Sequence, residues 1–302
     1  MRVLVTGASG AIGTALLPHL DAAHLDVWTV DLRPLDRNQH LVVDLEDPGS
    51  VQSVGEVRPD AVVHLAGALG SDVDQLFRAN VLGTVNLLSL LAQGTRVIVT
   101  GSAAEYGEGQ GTPLAETDSL RPVNPYGWSK VAQTTIASAI AERRSLELTV
   151  VRPFNIVSAD LPATTALGNM LRQVRGNGDA SSAVIRTGRL DIVRDYVPLE
   201  FVAHVLSTLV HEPESTGTFN ICSGVGIKLG DILGAMGKAL SVEIVADPDP
   251  TLISLPAPSI VTGDPTRLAD RFELTVRPTS KSIAALVLGL SQSGGENAIA
   301  GS

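Results

Sequence analysis

A glycine-rich turn after the first apolar segment constrains the fold of this chain more than any other sequence feature. Residues 6–13 read Thr-Gly-Ala-Ser-Gly-Ala-Ile-Gly, between an aliphatic run and a segment with helical apolar spacing. Gly7, Gly10 and Gly13 allow a tight turn and a close approach of the backbone to a pyrophosphate at the helix N-terminus. The turn therefore predicts a dinucleotide-binding site that opens an α/β fold.

Aliphatic runs alternate with helix-period segments through the first half of the chain. The predicted strands are Arg2–Thr6, Val27–Asp31, Leu41–Asp44, Ala61–Leu65, Arg96–Gly101 and Leu146–Arg152. The predicted helices are Ala11–Ala22, Asp72–Leu91 and Pro125–Arg144. Unbroken apolar strands separated by helices indicate a Rossmann-type, doubly wound parallel sheet that helices cover on both faces. Such sheets bind ligands at the carboxyl ends of their strands.

The second half is less regular and indicates a smaller C-terminal α/β domain for the substrate. Its predicted helices are Thr164–Arg175, Leu199–His211, Leu229–Leu240 and Ser280–Leu288, and its predicted strands are Ala183–Thr187, Thr218–Ile221 and Glu243–Val245. The proline-rich stretch Asp247–Pro258 predicts a loop. We expect the cofactor domain over 1–157, with a returning segment near 195–225, the substrate domain over 158–194 and 226–290, and a flexible tail over 291–302.

Composition narrows the functional class. The net charge of −10 argues against a nucleic-acid surface, which needs clustered Lys and Arg. Apolar runs fall short of the roughly 20 residues that cross a bilayer, so no membrane partner is expected. Met1 leads directly into a strand pattern, which favours a cytoplasmic protein without a signal peptide. The single cysteine, Cys222, excludes an intrachain disulfide, and its apolar surroundings predict a buried side chain rather than a reactive thiol.

Asp31 ends the second predicted strand, about twenty residues beyond the glycine turn, where an acidic residue commonly binds the ribose. A carboxylate at that place accepts hydrogen bonds from the ribose hydroxyls and repels a 2′-phosphate, which favours NAD(H). Arg33, two residues later, is a group that could meet a 2′-phosphate, so NADP stays a less favoured alternative. A structural cap is the other interpretation of Asp31.

Tyr126 and Lys130 are spaced to lie on one helix face, one turn apart. A phenol titrates near pH 10, and a neighbouring ammonium is expected to lower that pKa. Tyr126 would then donate a proton to a carbonyl oxygen that receives a hydride at its carbon. Ser102 follows the fifth predicted strand, where its hydroxyl is expected to orient the reacting oxygen. A serine in an ordinary turn is the alternative.

These features resemble the extended short-chain dehydrogenase/reductase family of nucleotide-sugar epimerases, dehydratases and reductases, over nearly the whole chain. Further matching motifs are His64-Leu-Ala-Gly67, Asn80-Val-Leu-Gly-Thr84, Arg152-Pro-Phe-Asn155, Arg194-Asp-Tyr196 and Phe219-Asn-Ile-Cys-Ser-Gly224. The resemblance implies cofactor contacts at Gly7, Ser9, Gly10, Ala11, Ile12, Gly13, Asp31, Leu32, Arg33, Asp44, Leu45, Leu65, Ala66, Gly67, Asn80, Thr100, Tyr126, Lys130 and Pro153. It implies substrate contacts at Ser102, Ala103, Tyr126, Asn155 and Arg194, and no metal site. A surface ion pair with Asp191 or Asp195 is the alternative for Arg194.

The family's dehydratases carry acidic residues at positions that correspond here to Ala103 and Ala104. Alanine transfers no proton, so the resemblance argues against dehydration. Glu105 lies one place away and is interpreted as structural or as a polar contact to the substrate. Several segments, among them Ser-Ala-Ala-Glu-Tyr-Gly after the fifth strand, look like the GDP-4-keto-6-deoxy-mannose reductase branch. The resemblance thus implies NAD(P)-dependent reduction of the 4-keto group of a nucleotide-linked 6-deoxyhexose.

Other functions stay open at this point. The same Ser-Tyr-Lys set serves a sugar-nucleotide 4-epimerase or a dehydrogenase of another sugar derivative, and a non-catalytic dinucleotide sensor is a third class. Related reductases have Arg-Pro near the end of the proline-rich segment, where this chain reads Ser254-Leu255-Pro256, so the nucleotide stays open too. Apolar positions beyond one stripe on Asp72–Leu91 and Pro125–Arg144 match the family's dimer helices, and a homodimer is expected.

Overall fold

The computed structural model describes residues 1–109, 112–177, 181–212, 215–254 and 257–290. The expected flexible tail, 291–302, and two residues of the proline-rich segment, Leu255 and Pro256, lie outside these ranges. The described residues divide into two compact units. Unit 1 comprises Met1–Gly107, Glu116–Pro153 and Leu199–Ile221, and unit 2 comprises Glu108–Ala115, Phe154–Pro198 and the residues from Cys222 onward.

Strands and helices alternate along both units. The strands are β1 (Arg2–Thr6), β2 (Asp26–Asp31), β3 (His40–Val42), β4 (Ala61–His64), β5 (Arg96–Thr100), β6 (Glu147–Pro153), β7 (Asn155–Val157), β8 (Ser182–Thr187), β9 (Val193–Pro198), β10 (Gly217–Ile221), β11 (Gly226–Lys228), β12 (Glu243–Pro248) and β13 (Ile260–Val261). The α-helices are α1 (Ala11–Ala22), α2 (Gln52–Val57), α3 (Val73–Phe77), α4 (Gly83–Leu88), α5 (Pro125–Arg144), α6 (Ala166–Gly176), α7 (Leu199–His211), α8 (Leu229–Leu240), α9 (Pro250–Ile253), α10 (Thr266–Phe272) and α11 (Ser280–Leu288).

Unit 1 is built on a parallel sheet, which in the described part of the chain has seven strands in the order β10-β6-β5-β4-β1-β2-β3. The central strands carry unbroken aliphatic runs whose side chains are buried on both faces, such as Val3, Leu4 and Val5 of β1. Helices α2, α4 and α5 contribute to the apolar cluster on one face, and α1 packs against α7. The predicted Rossmann-type, doubly wound sheet is confirmed.

The glycine turn connects β1 to α1 through two close backbone approaches. Gly7 has φ +66°, and a Cβ at this position would lie 2.6 Å from the backbone N of Ala66. A Cβ at Gly13 would lie 2.6 Å from the carbonyl oxygen of Ala8. These contacts are shorter than any side chain tolerates. The loop after β4 lies directly against the turn only because residue 7 is glycine, and α1 begins directly against Ala8 only because residue 13 is glycine.

The polypeptide over 72–91 departs from the single helix that the sequence predicts. Between α3 and α4, Arg78–Leu82 forms a π-helical segment, and α4 ends at Leu88. Asn80 lies in this segment and is fully buried; its amide bonds the backbone of Ala68 and the hydroxyl of Ser129. A π turn holds one more residue than an α turn, and this local widening accompanies the inward placement of Asn80. Apolar spacing alone gives no sign of it.

Unit 2 contains the elements that the sequence predicted least well. Strand β9 was missed because charged Arg194 and Asp195 interrupt its apolar pattern. In the structure Asp195 is buried and its carboxylate accepts hydrogen bonds from backbone N–H groups of Ser223, Gly224 and Gly263. β9 is therefore the centre of a small sheet, with β11 and β13 on its two sides and β7 also paired to it.

The prediction of a loop over Asp247–Pro258 is wrong at its beginning. β12 continues through Pro248 because it pairs in parallel with β8 along its whole length. Asp249 then caps the short helix α9, whose first residue, Pro250, needs no donor at that position.

Met170, Ile185 and neighbouring aliphatic residues fill the core of this unit. Among the described residues, no helix has the length and hydropathy of a membrane span.

We predict that Gly7→Ala destabilises the cofactor-free chain more than Gly94→Ala does. Both glycines have positive φ, +66° and +79°, so each alanine incurs about 1–2 kcal/mol of backbone strain. Only Gly7→Ala adds a clash with backbone, worth about another 1–3 kcal/mol, because nothing lies within 4 Å of a Cβ at Gly94. Urea denaturation of both variants measures the difference; equal losses would contradict the close approach at Gly7.

Candidate active site

The glycine turn forms one wall of a cavity of about 300 Å³ at the carboxyl edge of the sheet in unit 1. Most of the cofactor contacts predicted from the sequence line it, namely Gly7, Ser9, Gly10, Asp31, Leu32, Arg33, Asp44, Leu45, Leu65, Ala66 and Gly67. Val30, Val43, Glu46 and Ala79 also line it and were not anticipated. The remaining predicted contacts lie at the start of α1 or beyond the cavity: Ala11, Ile12, Gly13, Asn80, Thr100, Tyr126, Lys130 and Pro153.

Asp31 is held at the end of β2 by hydrogen bonds to its carboxylate. One oxygen accepts from the backbone N of Ser9 at 2.8 Å, and the other accepts from the backbone N of Arg33 at 3.1 Å. Partial burial opposes ionisation, but these backbone hydrogen bonds outweigh it and hold the pKa of Asp31 below its ordinary value. Asp31 is therefore a carboxylate at neutral pH, and it faces the cavity together with Arg33.

The residues in this cavity fit a dinucleotide. The turn has no side chains at Gly7, Gly10 and Gly13, so backbone N–H groups at the start of α1 are accessible to a phosphate. A carboxylate at Asp31 offers an acceptor to ribose hydroxyls. At the edge of β5, the Thr100 hydroxyl is buried and has no hydrogen-bond partner among the described residues. A group that brings phosphates, hydroxyls and a polar ring would match this set of donors and acceptors.

Helix α5 positions Tyr126 and Lys130 as the sequence predicted. Asn124 caps the helix by accepting a hydrogen bond from the backbone N of Gly127, Pro125 occupies the first turn, and Ser145 ends the helix in a left-handed conformation. Within this frame, Lys130 is buried and points its Nζ to the carbonyl oxygen of Thr100, at 2.8 Å. Tyr126 precedes it by one helical turn and is partly exposed.

Ser102 caps a short 3₁₀ turn, Ala103–Glu105, by accepting a hydrogen bond from the backbone N of Ala104. Its side chain also lies close enough to the phenol of Tyr126 to lower the pKa of that phenol in part. The two interpretations of Ser102 are thus compatible: the residue is part of a turn, and the turn presents its hydroxyl to Tyr126. The structure brings Ser102, Tyr126 and Lys130 to the carboxyl end of β5.

Glu105 has a structural position. It is fully buried, and its carboxylate accepts hydrogen bonds from Arg152 Nε at 3.0 Å and from the backbone N of Ser102 at 2.9 Å. Burial raises the pKa of Glu105, while the Arg152 charge opposes this rise. Arg152 also lies over the ring of Tyr106 and donates to its hydroxyl. Of the two interpretations from the sequence, the contacts favour the structural one.

The expected lowering of the Tyr126 pKa by Lys130 is wrong for the chain as described. Burial raises the pKa of Tyr126 to about 12; the neighbouring Ser102 hydroxyl lowers it in part, and the charge of Glu105 raises it further. Lys130 directs its ammonium to Thr100 and Gln133 instead, and its own pKa is lowered to about 8 by burial. Tyr126 is therefore a protonated phenol at neutral pH, which is the form that donates a proton.

Two polar residues of the predicted motifs are already engaged within unit 1. The amide oxygen of Asn80 accepts from the backbone N of Ala68, and its nitrogen donates to Ser129 and to Ala68 O. These contacts hold the segment after β4 rather than leave the amide free for a ligand. His64 is buried between two threonine hydroxyls, and burial lowers its pKa to about 3. Gln133, which no sequence motif singles out, contacts Lys130 directly.

Asn155 and Arg194 belong to unit 2. Asn155 Nδ2 donates to the carbonyl oxygen of Asp195 at 2.9 Å. Arg194 donates to the carbonyl oxygens of Val193 and Pro258, and burial lowers its pKa. The alternative of a surface ion pair is wrong, because Asp191 pairs with Arg189 and the Asp195 carboxylate binds backbone N–H groups. Leu255 and Pro256, in the segment where related reductases have Arg-Pro, lie outside the described residues.

Sequence comparison establishes the family. Residues 3–222, well over half of the chain, match the model of the NAD dependent epimerase/dehydratase family. The chain therefore belongs to this family.

Individual relatives are similar along most of their length. GDP-6-deoxy-D-mannose reductase of Pseudomonas aeruginosa is 28% identical over 300 residues, which cover 93% of this chain and 95% of the relative. GDP-6-deoxy-D-talose 4-dehydrogenase of Aggregatibacter actinomycetemcomitans is 30% identical over 241 residues, covering 77% and 78%. Among solved structures, RMD from Pseudomonas aeruginosa complexed with NADPH superposes with a TM-score of 0.81 at 26% identity, over 95% of this chain and 96% of the other.

Proposed function

We propose that the protein is an NAD(P)-dependent oxidoreductase that reduces the 4-keto group of a nucleotide-linked 6-deoxyhexose. The observation that carries the proposal is the Ser102 side chain beside Tyr126, one helical turn before buried Lys130, with the nearby carboxylate of Glu105 already paired with Arg152. Positions 103 and 104 are alanines, and Glu105 is fully buried against Arg152. The two relatives named for C4 chemistry on GDP-6-deoxyhexoses support the same substrate class.

Each residue of the site has a separate role in the proposed reduction. A bound nicotinamide dinucleotide supplies hydride to the carbonyl carbon. Tyr126, protonated at neutral pH, donates its proton to the carbonyl oxygen, and Ser102 holds that oxygen by a hydrogen bond. Lys130 holds its ammonium at Thr100 O and Gln133 Oε1, one helical turn from Tyr126, and is proposed as the positive charge of the site. Asn155 and Arg194 of unit 2 are the proposed contacts of the sugar nucleotide, and Arg194 is a cation suited to its diphosphate.

The expected result is stoichiometric oxidation of NADH or NADPH when the protein meets GDP-4-keto-6-deoxy-mannose. Tyr126→Phe keeps the ring but removes the proton donor, so kcat falls by roughly 100-fold or more. Tyr196→Phe, in the apolar core of unit 2, is the matched control and keeps kcat near the wild-type value. Loss of nicotinamide absorbance measures all three rates, and an active Tyr126→Phe variant would remove Tyr126 from the reaction.

A sugar-nucleotide 4-epimerase is the second candidate, since UDP-glucose 4-epimerase of Azospirillum brasilense is 32% identical over 174 residues, 53% of this chain and 50% of the relative. The same assay separates the two functions. An epimerase interconverts two nucleotide hexoses with no net consumption of the reduced cofactor. That result, together with no oxidation in the presence of the keto-sugar, would replace the reductase by the epimerase.

We further propose that NAD(H) is preferred to NADP(H), because ionised Asp31 faces the place of the ribose and repels a 2′-phosphate. Arg33, which also lines the cavity, works in the opposite direction. NADP(H) is the alternative cofactor, because RMD from Pseudomonas aeruginosa was solved in complex with NADPH.

Asp31→Ala is expected to change the ratio of kcat/KM for NADH to that for NADPH by roughly tenfold or more in favour of NADPH, because a charged acceptor for the ribose is lost. Arg33→Ala is the matched control; it weakens NADPH use and leaves NADH nearly unchanged. Steady-state kinetics with both cofactors give the ratios. An unaltered ratio in Asp31→Ala would show that Asp31 serves only to hold Ser9 and Arg33.

A homodimer is also proposed. Large apolar side chains are exposed on the helical segments of unit 1 where the family resemblance places a dimer contact: Val73, Phe77, Leu82 and Trp128, the last at 55%. Burying such residues against a second copy would remove apolar surface from water.

Trp128→Lys is expected to convert the dimer to a monomer in sedimentation velocity, since a charge on the contact face opposes burial. Val184→Lys, at a residue of unit 2 that is 68% exposed, is the matched control and leaves the sedimentation coefficient unchanged. A wild-type protein that sediments as a monomer would contradict the proposal.

A further inference from the structure

Gln133 is a polar side chain in the interior of unit 1, three residues after Lys130 on α5. It is fully buried, and a buried amide destabilises a fold unless its donors and acceptor are bonded. Its Oε1 accepts a hydrogen bond from Lys130 Nζ at 2.7 Å, and its Nε2 donates to Thr84 Oγ1 at 3.0 Å. The amide therefore connects the ammonium of α5 to helix α4.

The hydroxyl of Thr84 determines which way this amide is oriented. Thr84 Oγ1 donates its single hydrogen to the carbonyl oxygen of Asn80, at 2.6 Å. It must therefore accept from both of its other neighbours, Gln133 Nε2 and His64 Nε2, the latter at 2.9 Å. His64 then carries its hydrogen on Nε2, and its Nδ1 accepts from Thr6 Oγ1 at 2.8 Å.

Each group in this network has one consistent role, so the Gln133 amide is fixed in one orientation. A flipped amide would place its NH₂ against the Lys130 ammonium and its oxygen against Thr84, whose hydrogen is already used. A protonated His64 would carry a second hydrogen on Nδ1, facing the hydrogen of Thr6 Oγ1. Thr6 could accept from it only by turning its own hydrogen away. Burial, with the Lys130 charge adding to it, lowers the pKa of His64 to about 3 and keeps the ring neutral.

The network leaves a defined part of Lys130 for chemistry. Its ammonium has three N–H groups, and Thr100 O and Gln133 Oε1 accept two of them within the described ranges. The charged or titratable groups that face it are Glu105, paired with Arg152, and neutral His64; Tyr126 lies one turn earlier on the same helix. Gln133 is thus the neutral side chain that supplies an acceptor to the ammonium without adding a charge.

We propose that Gln133 is a positioning residue for Lys130, which holds the ammonium protonated and directed to Thr100 O, one helical turn from Tyr126, through an amide oriented by Thr84 and His64. The role rests on the proposed function of Tyr126 and Lys130 in keto-sugar reduction. Without the Gln133 oxygen, buried Lys130 loses an acceptor and gives up its proton at a lower pH. A carboxylate in the same place retains the acceptor, adds an opposite charge, and makes Lys130 give up its proton at a higher pH.

The test uses the cofactor-free full chain in a double-mutant cycle between Lys130→Met and either Gln133→Met or Gln133→Glu. The pKa of Lys130 falls from 10.5 to about 8 on folding. Between these values the unfolded chain keeps a proton that the folded chain has lost, so the free energy of unfolding rises with pH. In each background, subtracting the free energy of unfolding of the Lys130→Met variant isolates this rise. The lower boundary of the rise, which is the pH at which it begins, should move down by about one unit in Gln133→Met and up by about one unit in Gln133→Glu.

Two further variants keep the test decisive. Thr84→Val leaves Gln133 in place but removes the group that orients its amide, and should shift the boundary in the same direction as Gln133→Met. Gln93→Met, at an exposed glutamine, is the matched control and should leave it in place. In the reductase assay, Gln133→Met should lower kcat roughly tenfold, with a smaller change in the KM for NADH.

Shifts of the same sign in Gln133→Met and Gln133→Glu, or no shift in either, would overturn the proposal, because a merely structural amide gives no opposed effects. A wild-type kcat in Gln133→Met would overturn it as well. If wild-type protein reduces no keto-sugar, the proposed function fails on its own evidence, while opposed shifts still support the control of Lys130 by Gln133.

Discussion

The buried ion pair between Arg152 and Glu105 is the contact on which the reactive edge of unit 1 depends. A carboxylate that is fully buried would be strongly disfavoured without a partner, and Arg152 from β6 supplies one at 3.0 Å. The other oxygen of Glu105 accepts the backbone N–H of Ser102. The pair therefore fixes the turn after β5, and through it the Ser102 hydroxyl that meets Tyr126. Removing one partner alone would leave an uncompensated charge under the site.

This arrangement also explains why an acidic residue so close to the proposed site is unavailable to a substrate. Glu105 is next in sequence to the positions where dehydration would need proton-transferring groups, yet it is directed into the protein. Ala103 and Ala104 add no replacement. In the proposed reduction the phenol of Tyr126 is then the proton donor, and one 3₁₀ turn, Ala103–Glu105, directs the neighbouring carboxylate away from it.

Local patterns in the sequence predicted the parts of the fold that local chemistry determines. The bounds of α5, Pro125 and Arg144, were predicted correctly, because capping and proline placement depend on adjacent residues. The glycine turn and the aliphatic strands were predicted for the same reason. The π segment, β9 and the polar contacts of Gln133 were not, because each depends on partners distant in sequence. The pKa of Tyr126 failed likewise: proximity on a helix suggested a charge effect, whereas enclosure by the folded chain dominates it.

The π segment at Arg78–Leu82 changes the direction in which the side chains of α4 point. One additional residue in a helical turn rotates all later side chains by about 100° relative to an uninterrupted helix. The apolar residues of α3, such as Val73 and Phe77, therefore do not continue in register into α4. A partner helix that tracks the stripe of α3 would lose it at Asn80. A partner surface that spans both helices must therefore match two separate apolar patches, one on α3 and one on α4. Deleting one residue from the π segment would bring the two patches into one stripe, but it would also move Asn80 away from Ala68.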